Sequence, residues 1–441
     1  MKNNLTEGSI IKGMMSFSVP YLISCFLQTF YGMADLFITG QFNGAASISA
    51  VAVGSQLMHM LTVMIIGLAM GSTVVISRAV GARDEDRAAA GIGNTLTVFA
   101  VTALVLTIGL LFVRGPVVRV LRVPAEAVGE AGAYITICFA GIPFITAYNV
   151  ISSIFRGLGD TRRPMVFVAI AGVLNVGLDY LLIGPCAMGA AGAALATVIS
   201  QAGSVVLALI SLRRFETGVR LTKEKMRYDT GVTKQILGIG IPVALQDGLI
   251  QISFLVITAI ANSRGVDVAA AVGIVEKIIS FLFLVPSAML STVSALAAQN
   301  AGAGKHERSR RILNIGVLIC LGYGAVIFIL CQFVSEGIVS LFVRDDMHVV
   351  ELGGQYLRAY SVDAMLAGVH FCFSGFFSAY GKSVYSFIHN MISAVGIRIP
   401  GAYLASVLFP LTLYPMGLAA PLGSLVSVGI CLFFYRRHEW N

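Results

Sequence analysis

Long apolar stretches, separated by short polar segments, run along the chain from about residue 15 to residue 435. A helix needs about 20 mostly apolar residues to cross the hydrocarbon core of a bilayer. Only helices satisfy their own backbone hydrogen bonds across lipid at this length, so we predict an all-α membrane protein. Twelve stretches qualify as transmembrane helices, with approximate bounds 15–38, 47–76, 92–113, 131–154, 165–184, 188–212, 235–260, 268–296, 312–335, 354–378, 386–409 and 413–435.

Composition excludes several classes of protein. Hydrophobic residues make up 57% of the 441 residues and charged residues only 12%, whereas soluble domains carry about 25% charged residues. This excludes a soluble enzyme, a disordered protein and a nucleic-acid binder, and it makes the lipid bilayer the main partner. Most of the seven cysteines lie in apolar runs without a CxxC pair, which predicts packing residues rather than disulfides or a metal cluster.

The basic residues are distributed unevenly between the two sides of the predicted bundle. With the N-terminus inside, the cytoplasmic segments hold 22 Lys and Arg residues and the outer loops hold six. This bias predicts a multi-pass protein of the cell inner (plasma) membrane with both termini in the cytoplasm. The most basic loop, 213–234, separates an N-lobe (1–212, helices 1–6) from a C-lobe (235–441, helices 7–12).

The two predicted lobes resemble each other in sequence at a nearly constant spacing. Pro20 matches Pro242 and Tyr134 matches Tyr356 at one identical spacing, and loop 81–83 matches loop 302–304 at almost the same one. Both copies start inside, so the repeats are parallel, which is common in transporters. The segment 302–306 lacks the residues of a nucleotide-binding P-loop. We therefore expect no nucleotide partner and transport driven by an ion gradient.

Acidic residues inside predicted spans are expensive and are functional candidates by default. Asn175 and Asp179 lie four residues apart, on one face of the fifth helix, and Asp35 and Thr197 lie in the first and sixth helices. Their oxygens suit a small hard cation such as Na⁺, and two neighbouring carboxylates also suit a proton. The alternative is that the two acids are separate and bonded to local polar groups.

Two further acids, Asp247 and Asp363, are candidates for a second site in the C-lobe. The alternative to a second site is that each acid forms hydrogen bonds with polar neighbours. Lys277 could also pair with Asp247 across helices. The wall of a drug cavity can draw on flexible thioethers and aromatic rings in the first, second and fourth helices. The candidates are Gln28, Tyr31, Met33, Met64 and Tyr148, for which ordinary packing is the alternative.

These residues give the chain a resemblance to a known family. It resembles the multidrug and toxic compound extrusion (MATE) transporters, nearest the prokaryotic DinF-like branch, over essentially its whole length. The resemblance rests on Pro20 with the string 34–40 (ADLFITG), the loop 81–83, the string 156–161 (RGLGDT) and the pair Asn175 and Asp179.

The resemblance implies a V-shaped fold of two pseudo-symmetric six-helix lobes. It also implies a monomer, not an enzyme, that exports amphipathic, often cationic drugs by alternating access in exchange for Na⁺ or H⁺, without another cofactor. The resemblance implies that the ion site of similar proteins corresponds in this chain to Asp35, Asn175, Asp179, Thr197 and the carbonyl of Ala193. The proline corresponding to Pro20 is associated with helix bending, which is reasonable because proline frees a backbone carbonyl.

The chain departs from many relatives in the seventh helix. Those relatives carry an essential Glu about eight residues after the proline, whereas this chain has Ile250 and Gln251 there and its only nearby acid is Asp247. We therefore place the coupling site in the N-lobe. The competing interpretation is a lipid or lipid-linked oligosaccharide flippase of the wider superfamily. Five acids against Lys277 and Arg398 within the spans favour a cationic cargo.

Overall fold

The computed structural model describes residues 5–121, 123–214, 222, 224–343 and 346–440, without the side chains of 213 and 214. These residues fold into helices joined by short turns. A 3₁₀ turn covers Ala125–Ala127, and a π-helical segment covers Ile392–Arg398. The α-helices are α1 Ile10–Phe42, α2 Ala45–Gly81, α3 Glu85–Val120, α4 Val128–Gly157, α5 Arg162–Ile183, α6 Gly189–Arg214, α7 Thr230–Asn262, α8 Val266–Leu282, α9 Leu284–Gly302, α10 His306–Ser340, α11 Met347–Tyr360, α12 Asp363–Ala379, α13 Ser383–Met391, α14 Ile399–Leu408, α15 Tyr414–Gly417 and α16 Ala419–Arg437.

Eleven helical segments within the described residues are long and apolar enough to cross a membrane. The predicted tenth span is broken: α11 and α12 meet at a bend of 42°, and the bent pair, taken as one span, brings the number to twelve. The predicted eighth span comprises α8 and α9, and the eleventh comprises α13, the π-helical segment and α14. The predicted all-α membrane fold with twelve spans is confirmed, and the irregularities lie within spans whose hydropathy is continuous.

The internal repeat extends to the backbone conformation of the turns. After α2, Arg83 has a positive φ of 58°, and after α9 the matching Gly304 has a φ of 70°. The amide of Asp84 bonds the carbonyl of Ala79, and in the matching turn the amide of Lys305 bonds the carbonyl of Asn300. Both helices therefore end in the same left-handed cap, which satisfies carbonyls of the last turn.

A second pair of turns repeats in the same way. Gly159 after α4 and Gly381 after α12 occupy matching positions of the repeat, with φ values of 81° and 72°. The amide of Asp160 bonds the carbonyl of Phe155, and the amide of Lys382 bonds the carbonyl of Phe377. Glycine suits both positions because it adopts positive φ at little cost.

The described residues form two compact units, each with its own apolar core. Unit 1 contains Val19–Leu237, and unit 2 contains Leu5–Ser18 with Gly238–Asn441. Tyr134 lies in the core of unit 1 and its repeat partner Tyr356 lies in the core of unit 2. The predicted lobes assign all of 1–212 to the N-lobe, whereas here the start of α1 belongs to unit 2. Hydropathy alone gives no sign of this exchange.

Polar contacts hold the segment before α1 in unit 2. Asn300 donates to the carbonyl of Leu5 at 3.2 Å, Lys305 donates to that of Thr6 at 2.9 Å, and Arg308 donates through Nη2 to that of Glu7 at 3.0 Å. These three bonds satisfy consecutive backbone carbonyls that lie before the start of α1.

The predicted linker 213–234 lies partly outside the described residues, but its last part is fixed within unit 1. Asn94 on α3 donates to the carbonyl of Arg227 at 3.2 Å and accepts from the amide of Asp229 at 2.8 Å. Lys225 pairs with Asp86 at 2.6 Å. The chain therefore enters α7 from a defined position on unit 1.

Prolines lie near both places where the chain passes from one unit to the other. Pro20 lies in α1 next to the boundary between Ser18 and Val19, and Pro242 lies in α7 just after the boundary at Gly238. A helical proline cannot bond the carbonyl four residues earlier. For Pro242 that carbonyl belongs to Gly238 and accepts from the Ser383 hydroxyl at 3.3 Å. No described side chain serves the corresponding carbonyl of Ser16 in this way.

Candidate functional site

The four polar residues predicted to form the ion site lie together inside unit 1. Thr197 on α6 donates to Asp35 Oδ2 on α1 at 3.2 Å. The Asp35 carboxyl also interacts with the side chains of Asn175 and Asp179, which lie one turn apart on α5. Asp35 is 4% exposed, and Asn175 and Asp179 are fully buried. The structure therefore excludes the alternative of two separate, locally bonded acids.

Several polar atoms of the cluster lack a well-aligned hydrogen-bond partner among the described residues. Within the described residues, Asp35 Oδ1, both amide atoms of Asn175 and both carboxyl oxygens of Asp179 are buried without a hydrogen-bond partner. The groups that interact with the two carboxyls include no described Lys or Arg. Two adjacent carboxylates in a low-dielectric interior cannot both stay charged cheaply without a cation. The arrangement therefore suits an exchangeable cation or proton.

Two neighbouring residues complete the surroundings of this cluster. Ala193 is fully buried one turn before Thr197 on α6, but no described hydrogen bond joins its carbonyl to the carboxyls. Thr39 donates to the backbone carbonyl of Asp35 at 2.7 Å, a contact that sequence analysis missed. The spacing of four residues on one helix was the available signal, because it brings a hydroxyl to the preceding turn.

Three of the predicted cavity residues adjoin the cluster. Tyr31 interacts with both Tyr148 and Asp35, and Gln28 interacts with Tyr148. Gln201 on α6 donates to the Tyr31 hydroxyl at 3.1 Å. Sequence analysis missed Gln201, although it lies one helical turn after Thr197 and shares its face.

The two methionines proposed for the cavity lie differently. Met33 is 49% exposed on α1. Met64 is partly buried on α2. Neither has a described contact with the acid cluster. Tyr134 was recognised only as a repeat position, yet its ring lies near both Asp35 and Asp179.

The two acids predicted for the second lobe have different partners. Asp247 accepts from Gln246 at 3.4 Å. Asp363 is buried and interacts with Arg398, Ser424 and Tyr360. No described contact joins Asp247 to Asp363 or to Lys277, whose side chain is exposed. Asp363 thus has a basic neighbour in Arg398, in contrast to Asp35 and Asp179.

Comparison with known proteins gives the same organisation. The profile of the MatE family matches residues 20–181 and again residues 242–404, once in each repeat. The chain is 26% identical to "Probable multidrug resistance protein YoeA" of Bacillus subtilis over 99% of this chain and 95% of that protein. It is 24% identical to "Multidrug export protein MepA" of Staphylococcus saprophyticus over 92% and 89%.

A solved structure matches the fold over nearly its full length. It is a MOP superfamily transporter from Pyrococcus furiosus, with a TM-score of 0.93 and 22% identity, and the match covers 99% of this chain and 98% of that one. The double profile match covers well over half of the chain and begins both times at the repeated proline. The chain therefore belongs to the MATE family of membrane transporters.

Proposed function

We propose that the protein is a cation-coupled antiporter that exports amphipathic, often cationic compounds by alternating access. The observation that carries the proposal is the buried pair of Asp35 and Asp179, which has no described basic partner. The names of the relatives YoeA and MepA, which refer to multidrug resistance and export, support this cargo class.

The coupling ion is Na⁺ or H⁺ and binds among Asp35, Asn175, Asp179 and Thr197, with the carbonyl of Ala193 nearby. The described residues contain no group of three or more His, Cys, Asp or Glu side chains placed to hold a metal. The proposed site therefore relies on two carboxylates and neutral oxygens, which suit a single positive charge better than two.

Exchange follows from the charge of this pair. When the ion is absent, the carboxylates attract a cationic drug, whose aromatic parts contact Tyr31 and Tyr148 and whose polar groups contact Gln28. When the ion binds, it neutralises the pair and removes that attraction. A change in helix α1 at Pro20 links ion occupancy to drug release on the outer side, and the ion leaves on the cytoplasmic side.

The proposal also covers the membrane location, the orientation and the oligomeric state of the protein. It acts as a monomer in the cell inner membrane. Both termini lie in the cytoplasm, an orientation that the distribution of Lys and Arg favours. Cysteine accessibility to a membrane-impermeant thiol reagent tests this orientation. A cysteine placed at position 2 should react only in inverted vesicles.

Transport of ethidium in proteoliposomes tests the function, under an imposed Na⁺ gradient and separately under a pH gradient. Wild-type protein should move the dye with at least one gradient, and Asp35→Asn should not, although it folds. Dye movement at the wild-type rate in Asp35→Asn would refute the site. No movement of dye with either gradient, from folded wild-type protein, would favour a lipid cargo instead.

A further inference from the structure

A small cavity of about 40 Å³ lies within unit 2. Its lining combines aromatic rings with charged and polar side chains. The residues that matter here are Phe254, Phe283, Phe371, Asp363, His370 and Arg398. Aromatic faces beside a carboxylate are the recognition elements for an organic cation.

Arg398 already places a cation against these rings. Its guanidinium carbon lies 4.4 Å from the ring centre of Phe254 and 5.6 Å from that of Tyr360, and it donates to the Tyr360 hydroxyl. Arg398 is the last residue of the π-helical segment Ile392–Arg398. Such segments are rare and frequently occur at functional sites.

The partly buried guanidinium does not use all of its hydrogen-bond donors. Its Nε atom and Asp363 Oδ1 are both buried without a hydrogen-bond partner. None of the ion pairs within the described residues includes Arg398. Where an arginine pairs with a carboxylate, the pair is frequently bidentate. Arg398 lacks that arrangement, so its side chain can be displaced without breaking a strong ion pair.

The charges around the guanidinium also favour a cation. Asp363 and Glu276 both interact electrostatically with Arg398, and Thr258 donates to the Glu276 carboxyl at 2.9 Å. Two carboxyl groups therefore contribute negative charge to the surroundings of one guanidinium. His370 faces the same cavity, and its Nε2 lies 3.3 Å from the Ser424 hydroxyl. A positively charged ligand would gain from both acids and from the rings.

We propose that unit 2 carries a binding site for planar guanidinium or amidinium cations, and that the side chain of Arg398 occupies it as a tethered competitor. A ligand of this class enters by displacing Arg398, stacks on Phe254 and bonds Tyr360 and Asp363. The inference rests on the proposed function, because it names a class of cationic cargo. The site itself is defined by binding alone and is distinct from the ion site at Asp35.

Equilibrium binding of phenylguanidinium to the purified full-length protein tests this proposal, with neutral phenylurea as the matched probe. The variant is the double substitution Arg398→Met with Glu276→Gln, which removes the competitor and keeps the net charge of the cluster. It should bind phenylguanidinium at least about tenfold more tightly than wild type, and phenylurea no more tightly. Adding Phe254→Leu should reverse most of the gain.

Lys277→Met is the control, because it removes an exposed cation beside Glu276 without opening the cavity. It should bind phenylguanidinium as wild type does. An absent gain in the double variant, or an equal gain for phenylurea, would overturn the proposal. If the double variant folds poorly, phenylguanidinium but not phenylurea should restore its folded yield, and failure of this rescue is equally contrary. Equilibrium binding is measured without an ion gradient. A failure of coupled efflux would therefore not change the outcome of this binding experiment.

Discussion

Thr197 donates a hydrogen bond to Asp35 at 3.2 Å, although the two residues lie far apart in the chain. The bond joins α6 to α1 inside unit 1, whereas Asp35 Oδ1 is buried without a well-aligned hydrogen-bond partner among the described residues. The Thr197 hydroxyl therefore orients the carboxyl toward the side of the cluster where Asn175 and Asp179 lie. Under the proposed function, Thr197 contributes to ion affinity.

Thr197→Ala removes the donor, and the direction of its effect distinguishes the coupling ions. A hydrogen bond to a charged group contributes about 1.5–3 kcal/mol, or roughly tenfold or more in affinity. If Na⁺ couples transport, the variant loses an oxygen ligand and needs about tenfold more Na⁺ for half-maximal efflux. If H⁺ couples transport, the carboxylate loses stabilisation and holds its proton more strongly, so the pH midpoint of efflux rises.

Thr197→Ser keeps the hydroxyl and is the matched control for this measurement. Its half-maximal ion concentration should stay within about threefold of wild type, since the donor is preserved. Identical ion dependence in the Ala variant, the Ser variant and the wild type would show that the observed bond has no part in coupling.

Pro20 and Pro242 occupy matching positions of the repeat, but the backbone carbonyls that they leave free differ in their hydrogen-bond partners. The Ser383 hydroxyl serves the carbonyl that Pro242 frees, whereas no described side chain serves the carbonyl of Ser16. A helical proline costs about 3 kcal/mol, so removing the less supported one should straighten and stiffen α1. We expect Pro20→Ala to lower the efflux rate about tenfold, which corresponds to an increase of about 1.4 kcal/mol in the activation free energy. Pro242→Ala should change the efflux rate much less. Equal effects of the two substitutions would contradict a special role for Pro20.

Close packing of α10 against α12 predicts a sharp difference between two glycines of α10. A Cβ at Gly324 would lie 2.5 Å from the backbone of Met365, whereas a Cβ at Gly322 would meet nothing within 4 Å. Overpacking costs about 1–3 kcal/mol, so Gly324→Ala should lower the thermal unfolding temperature in detergent by about 1–3 °C. Gly322→Ala should leave it unchanged or raise it slightly, because alanine favours helix. Equal temperatures for the two variants would contradict the described packing.

The contacts of Asn94 predict the behaviour of the segment before α7. Asn94→Leu removes the bonds to Arg227 and Asp229, together with one from Thr233 at 3.1 Å. Trypsin should therefore cut after Lys225 and Arg227 several-fold faster than in wild type. Thr97→Val is the control, because the Thr97 hydroxyl bonds only the nearby Gly93 carbonyl within α3. Cleavage at the same rate in both variants would indicate that Asn94 does not hold this segment.

Hydropathy and spacing predict much of this molecule because the bilayer imposes a simple requirement on length and polarity. The twelve spans, and the repeat from Pro20 to Pro242, follow from local sequence. The pair Asn175 and Asp179 follows from helical periodicity, but their meeting with Asp35 depends on packing between distant helices. The exchange of Leu5–Ser18 into unit 2 and the bend between α11 and α12 depend on contacts that no local pattern encodes. The electrostatic interaction of Asp363 with Arg398, rather than a site shared with Asp247, has the same origin.

The central claim is that drug and ion exchange through the Asp35 and Asp179 pair. The direct measurement is the equilibrium affinity of purified protein for tetraphenylphosphonium, determined across a range of Na⁺ concentration and of pH. In wild type, saturating Na⁺ or low pH should weaken binding at least about tenfold, because the ion neutralises the pair that attracts the drug. In the double variant Asp35→Asn and Asp179→Asn, affinity should be uniformly low and independent of both. A double variant that retains the wild-type ion dependence would contradict the account.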